Sequence, residues 1–298
     1  AETEDPRTRS GLLHMLGMAE RQMGLSEESI ASLEASIESA ALTDDAALRA
    51  SVELTLSGSL ATAGELDAAT AMVDIAEAHL SEDRIPRAWT QRGSIAARFG
   101  SFDTALALFR DAEPARALNG DSLWLLRLLA NRGLVYGYGG SFDEARVDLE
   151  RARAIGEGLG LNADVAETTH NHGWVRSRQG DIVGAIGLFD EAETMLTMLD
   201  YPLNELLVDR AEVFITARLL AEALETAALA IEEIEAHGNP IDVPEAWVMY
   251  ARAARAAGRA DSAIDAGAKA RDGFIALDAK GWPAIASLLL LEAGEEHD

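Results

Sequence analysis

The chain has six histidines, 51 acidic residues and no cysteine, and these numbers limit the chemistry it can carry. Without cysteine there is no thiolate nucleophile, no disulfide and no Cys-based metal site. The one close histidine pair is His170-Asn171-His172. Residues two apart on a helix point roughly 200° away from each other, so these two rings cannot chelate one ion. No His-Glu-x-x-His stretch occurs elsewhere. Carboxylates are abundant but not arranged as a distinctive acid/base pair. Gly137-Tyr-Gly139-Gly140 and Gly156-Glu-Gly158-Leu-Gly160 are rich in glycine, yet neither follows a strand and no Gly-Lys-Ser/Thr is present. Phosphate-loop mechanics are therefore missing. The expectation is a protein that is not an enzyme and takes neither a metal nor a cofactor.

A second group of residues suits recognition. Arg87, Gln91 and Arg98 recur about 40 positions later as Arg127, Asn131 and Tyr138, and again as His170, Asn171, Trp174 and Arg178; Asp209 and Glu212 follow in the next period. Against a net charge of −26, this clustering of Arg with Asn and aromatic residues is out of character. Arg and aromatic side chains dominate binding hot spots, and an Asn amide can pair with both polar groups of an extended peptide. For these residues to form one stripe, the chain must present them on parallel helices.

Internal periodicity supplies those helices. Gly24, Gly64, Gly100, Gly140, Gly180, Arg218 and Gly258 are spaced by 40, 36, 40, 40, 38 and 40 residues, which reads as seven helical hairpins turning at these markers. Seven residues before each marker stands Gly17, Ser57, Gly93, Gly133, Gly173, Ala211 or Ala251. Small residues also occupy the fifth position after each, from Ser29 and Ala69 to Ala263, and the twelfth, from Ser36 and Ala76 to Ala270. Bulk enters at the ninth as Leu33, Val73, Phe109, Leu149 and Phe189; Ala227 and Gly267 break this rule, so the last two hairpins are expected to borrow from Leu224, Leu229, Ile264 and Phe274. Aromatics make up only 5%, which favours small-residue helix packing over a β-sandwich.

The expected fold is thus all-α, an α-α superhelix or solenoid of about seven hairpins in a single repeat domain over residues 1–298. First helices are placed at about 9–23, 45–63, 84–99, 121–138, 163–179, 203–217 and 243–257, and second helices at about 26–41, 66–80, 102–118, 142–158, 182–199, 219–236 and 260–277. The hairpins accordingly run 9–41, 45–80, 84–118, 121–158, 163–199, 203–236 and 243–277. A last helix at about 282–293, with Trp282, Ile285, Leu288, Leu289 and Leu291, reads as a cap over the terminal apolar face.

This pattern resembles the tetratricopeptide repeat: a small residue in the first helix, an Ala early in the second, an aromatic or Leu one turn on, then a further Ala. The usual unit is about 34 residues, and the longer period here is similar to arrays joined to large bacterial signalling proteins. More narrowly, HNHGWVRSRQGDIVGAIGLFDEAE, YPLNELLVDRAEVF, VPEAWVMYARAARAAG and GWPAIASLLLLEA resemble the array preceding the caspase-like domain of CHAT proteins. That resemblance implies a parent protein with a Cys/His protease module as an intramolecular partner. With no cysteine the dyad cannot lie in this chain, and His170 and His172 fall inside a repeat helix. Some tetratricopeptide domains clamp a C-terminal carboxylate with Lys and Asn; Asn131 and Asn171 resemble part of that clamp, but the stripe has no Lys, which leaves Arg127 or Arg178 to take an acidic side chain bidentately.

The functional expectation is a scaffold that binds a protein or peptide segment in its concave groove and acts as the sensor or regulatory region of a larger bacterial CHAT-type protein. Two alternatives differ in class: a ligand- or partner-sensing arm of a transcriptional regulator or signal-transduction ATPase, and a homodimerisation module. The acidic surface would repel nucleic acid. No segment approaches the roughly 18 apolar residues of a membrane span, and AETEDPRTRS is unlike a signal peptide, so a cytoplasmic location is expected. A start without Met and the EAGEEHD tail fit a piece of a longer chain.

Overall fold

The computed structural model describes residues 5–23, 25–237 and 242–276. These residues form fourteen α-helices and one 3-10 turn, with no strand among them. The fold is all-α, built from helical hairpins, and it divides into two compact units, Ala1–Val175 and Arg176–Asp298. The cap expected at 282–293 lies outside the described residues.

In the first unit the hairpins are α1 (Pro6–Gln22) with α2 (Ser26–Ala41), α3 (Ala46–Thr62) with α4 (Leu66–His79), α5 (Ile85–Arg98) with α6 (Phe102–Asn119), and α7 (Ser122–Tyr138) with α8 (Phe142–Leu159). Helix α9 (Asn162–Gln179) carries the boundary between the units. The second unit continues with α10 (Ile182–Met198), α11 (Asn204–Thr216), α12 (Leu220–His237), α13 (Val243–Ala256) and α14 (Ala260–Ala276). Within each unit first helices pack on their own second helix and on the next first helix, as with α3, α5 and α7.

Helix ends follow local chemistry. Asp5, Asp45 and Asp181 accept the amides of Thr8, Leu48 and Gly184 at 3.1, 2.9 and 2.9 Å, so each caps the start of a helix. At the hairpin turns Gly64, Gly100, Gly140, Gly180 and Gly258 have φ between 70° and 90°, the left-handed region that glycine enters without a Cβ penalty. Arg218 occupies the same position at φ 60°, and Asp200 at φ 55° ends α10 where Gly120 and Gly160 end α6 and α8.

The hairpin core is a fit between a bare backbone and a bulky side chain. A Cβ on Gly93 would stand 2.6 Å from Phe109, and one on Gly133 would stand 2.8 Å from Leu149. Phe109, Leu149, Val73 and Phe189 are fully buried, as are the flanking Ala105, Ala112, Ala145 and Ala152. In the first hairpin Ser29 and Ser36 replace these alanines and are satisfied by the Gly17 and Ser10 carbonyls at 2.7 and 2.8 Å. In the hairpin of α11 and α12 the pair is Ala211 with Ala227, packed together with Met249 from the next first helix. Leu224 and Phe274 are buried, but Leu229 is 48% exposed, which corrects the expectation that it fills the gap. Met249 does so instead, its unbranched side chain suiting an irregular space.

Charge also recurs with the repeat. Arg92 donates to Asp74 at 2.6 Å and to Glu77; Arg132 donates to Glu113 at 2.7 Å; Arg210 donates to Asp190 and Glu193 at 3.0 and 2.7 Å. In each case the arginine lies eight residues before its marker, and the acids lie ten or thirteen residues after the preceding one. Each pair therefore ties one hairpin's second helix to the next hairpin's first helix.

Candidate functional site

The first helices of the N-terminal unit bring several predicted residues onto one face. Arg87 of α5 reaches across to Asp121, with Nε to Oδ2 at 2.8 Å and Nη2 to Oδ1 at 3.3 Å. Its guanidinium also lies 5.9 Å from the centre of the Trp124 ring. Arg127, one turn along α7, covers the same ring at 5.1 Å. Asn131 follows on the next turn and donates Nδ2 to Ser94 Oγ at 3.0 Å and to the Arg127 carbonyl at 2.9 Å. Trp124 is thus a platform for two cations, and Asn131 is held by the helix beside it.

Arg127 differs from the other arginines. Arg92, Arg132 and Arg210 each meet two carboxylates, whereas Arg127 forms no ion pair among the described residues. It is half-buried, and burial pushes its guanidinium below the ordinary value, with Arg87 adding to the effect against the pull of Asp164, Glu167 and Asp121. A cation in such a place gains from an incoming anion.

Residues outside the predicted stripe extend this face. His14 of α1 meets Thr55 Oγ1 at 2.8 Å; that hydroxyl already donates to the Ser51 carbonyl, so His14 Nε2 is the donor. Burial, followed by the charges of Arg21 and Arg127, lowers the His14 pKa and favours its neutral form. Gly58 of α3 leaves bare backbone against Arg21 and Gln91: a Cβ there would lie 2.7 Å from Arg21 Nη1 and 3.3 Å from Gln91 Nε2. His14, Arg21, Thr55 and Trp124 were not anticipated. For Thr55 the signal was present, since it occupies the marker-minus-nine position of Gln91 and Asn131.

The remaining predicted residues are placed less favourably or elsewhere. Arg98 is exposed at the end of α5, and Asn171 is half-buried on α9. His170 is only 7% exposed and Trp174 only 8%, so neither presents the open ring expected of a groove residue. Trp174 is covered because Gly137 has no side chain: a Cβ there would stand 2.8 Å from the ring. Tyr138, 57% exposed, joins Phe102 at 5.3 Å and Trp174 at 4.6 Å in a row of three aromatic rings. Arg178, Asp209 and Glu212 belong to the second unit; Arg178 is exposed, Asp209 is half-buried, and Glu212 accepts from Arg252 at 3.1 Å. Among the described residues no three His, Asp or Glu side chains gather as a metal site, and no helix is long and apolar enough to cross a membrane.

Comparisons with known proteins agree on the type of fold. Residues 10–41 match the tetratricopeptide repeat family. No curated protein sequence matches. Among solved structures, a Rap protein complexed with Competence and Sporulation Factor is 10% identical, with a TM-score of 0.67, over 99% of this chain and 88% of that one. A Signal Transduction ATPase with Numerous Domains protein from Pyrococcus horikoshii, described as carrying a tetratricopeptide repeat sensor, is 14% identical with a TM-score of 0.64; the match covers 97% of this chain but only 47% of that protein. A tetratricopeptide repeat protein from Parabacteroides merdae is 16% identical with a TM-score of 0.55, over 96% of this chain and 99% of its own. At these identities the likeness is one of fold, and the fold is that of tetratricopeptide-type helical hairpins.

Proposed function

We propose that the protein is a non-enzymatic scaffold that binds a protein or peptide segment on the first-helix face of its N-terminal unit, through a carboxylate on that segment. The observation that carries this reading is Arg127, a half-buried guanidinium on the Trp124 ring that has no ion pair among the described residues of a chain with net charge −26. Asn131, one turn along α7, has its amide hydrogens engaged by Ser94 and the Arg127 carbonyl and offers Oδ1 to a backbone N–H, while Gln91 on the neighbouring first helix keeps an amide for the same purpose. Support also comes from the Rap structures of similar fold, two of which are described as complexes, one with Competence and Sporulation Factor and one with the Phr* peptide.

In this reading the array works in the cytoplasm as the sensor or regulatory region of a larger bacterial protein. The resemblance of its later hairpins to the arrays of CHAT proteins favours a Cys/His protease module in the same parent chain. A second reading, the sensor arm of a signal-transduction ATPase, is favoured by the extent of the match to the Pyrococcus horikoshii protein. The complete open reading frame distinguishes them by the domain it encodes beside the array.

The binding proposal is tested by fluorescence anisotropy of the whole chain against an array of labelled peptides that differ in acidic side chains and in amidation of the C-terminus. Acidic peptides are expected to bind, and Arg127→Ala to weaken them by at least about tenfold, the scale of a lost charge-assisted hydrogen bond. Equal binding by Arg127→Ala, or indifference to peptide charge, would remove the assignment.

A further inference from the structure

In the second unit, a cavity of about 570 Å³ is lined by Ile215, Thr216, Arg218, Arg252, Arg255 and Ala256. Three of these six residues are arginines and none is acidic, in a chain where acids outnumber bases 51 to 25. The arginines come from one first helix and the turn that follows the preceding first helix. Arg252 and Arg255 are on α13, three apart and therefore on one side of it, while Arg218 follows α11. Glu212 takes Arg252 Nη1 at 3.1 Å and fixes the direction of that fork.

Helix-end chemistry does not account for the cluster. The last carbonyls of α11 are satisfied by backbone: Val213, Ile215 and Phe214 accept from the amides of Ala217, Arg218 and Leu219. At the end of α13, Ala253, Arg255 and Ala254 likewise accept from Ala257, Gly258 and Arg259. No guanidinium is needed to cap them. Arg218 also stands at φ 60° where the other described hairpin turns use glycine, so the position holds a long cation despite a backbone that disfavours any side chain.

We infer that this cavity is a binding site for a phosphate monoester. Guanidinium forks present paired N–H donors at a spacing that matches phosphate oxygens, and a phosphate monoester offers three terminal oxygens where a carboxylate offers two. Three converging arginines match the larger acceptor set. The source of the group is either a phosphorylated side chain or a small phosphorylated molecule, both of which present the same terminal oxygens. The site shares no residue with the peptide face, so either assignment can fail alone.

Isothermal titration of the whole chain at constant ionic strength tests this, with inorganic phosphate, glycerol phosphate and a phosphoserine peptide as probes and sulfate-free buffer throughout. At least one phosphorylated probe is expected to bind with a Kd below about 10 mM, and both Arg218→Gly and Arg255→Gln to weaken it about tenfold, the equivalent of one charge-assisted contact. Arg218→Gly relaxes the turn rather than straining it, so folding is retained, and circular dichroism of both variants confirms it. A preference for the peptide over its unphosphorylated form assigns the group to a polypeptide; equal binding of glycerol phosphate assigns it to a small molecule. No binding of any probe in that range, or unchanged binding in both variants, overturns the inference.

Discussion

Arg132 meets both oxygens of Asp148 across the hairpin of α7 and α8, Nε to Oδ2 at 2.6 Å and Nη2 to Oδ1 at 2.9 Å, and its remaining arm reaches Glu113 of α6 at 2.7 Å. The Asp148 side chain is 5% exposed and that of Arg132 is 10%. Burial alone would lower the arginine pKa, but the two carboxylates more than reverse it and the guanidinium stays charged. Removing one partner leaves the other charge buried. Asp148→Ala is therefore expected to lose about 3 kcal/mol in urea denaturation, at the lower end of values for broken buried pairs. Arg132→Met with Asp148→Leu should recover most of that loss, because no uncompensated charge remains.

The pH dependence of stability follows from two groups. Glu113 has a pKa below its ordinary 4.5: burial opposes this, but Arg132 and Arg151 outweigh it. Its contribution is present above the unfolded value and is lost as pH falls through the folded one, so it acts in the acid range. His14 is shifted below 6.5 by burial and by Arg21 and Arg127, so the unfolded chain binds its proton first. Stability contributed by neutral His14 is present above pH 6.5 and declines as pH drops toward the folded value. Denaturation midpoints at pH 7.5 and 5.5 should differ less in His14→Gln than in the parent chain; an unchanged difference would mean that another group is responsible.

The hairpins were legible because their turns and small residues repeat at one spacing, and this spacing reports directly on helix contact. Gly133, Ala145, Leu149 and Ala152 are each buried where the pattern places them. The ion pairs between hairpins were not legible. Arg92, Arg132 and Arg210 share one register, but His172 and Tyr250 occupy the same position in other repeats, so charge at that place looks like a solvated face until the partner helix is known. The recognition stripe was read by helical period alone, and this fails where a neighbour changes the depth of a position. Thr90 and His170 share the marker-minus-ten position and are both buried, at 1% and 7%. Trp174 is drawn in by the bare Gly137, on a helix 37 residues upstream.

The complementarity of Gly133 and Leu149 gives a packing prediction. Gly133→Ala would place a methyl 2.8 Å from Leu149 Cγ with the Ala145 carbonyl at 3.3 Å on the same side, so neither neighbour can yield freely. A loss of about 1–3 kcal/mol is expected, the usual cost of overpacking. Adding Leu149→Ala creates the Ala/Ala pairing that Ala211 and Ala227 form natively. The double variant should not recover fully, because that native pair is completed by Met249, whose position in the next first helix is held here by the shorter, polar Asn171. A double-mutant cycle in guanidinium chloride reads the coupling, and strict additivity would contradict the contact.

Arg218 and Gly140 occupy equivalent turns with opposite expectations. A non-glycine residue in the left-handed region costs roughly 1–2 kcal/mol, while a glycine costs roughly 0.4–1 kcal/mol through the greater freedom of the unfolded chain. Relief of the first outweighs the second at φ 60°, so Arg218→Gly should raise stability by about 1 kcal/mol. Gly140→Ala, at φ 77°, incurs the first cost and regains only the smaller second term, so it should lose about 1 kcal/mol. Thermal melts of the two variants beside the parent chain compare them directly. A stabilised Arg218→Gly that has also lost phosphate binding would show that the arginine is retained for its side chain at a cost to the turn. A destabilised Arg218→Gly would instead make its guanidinium a structural contact of the α11 end.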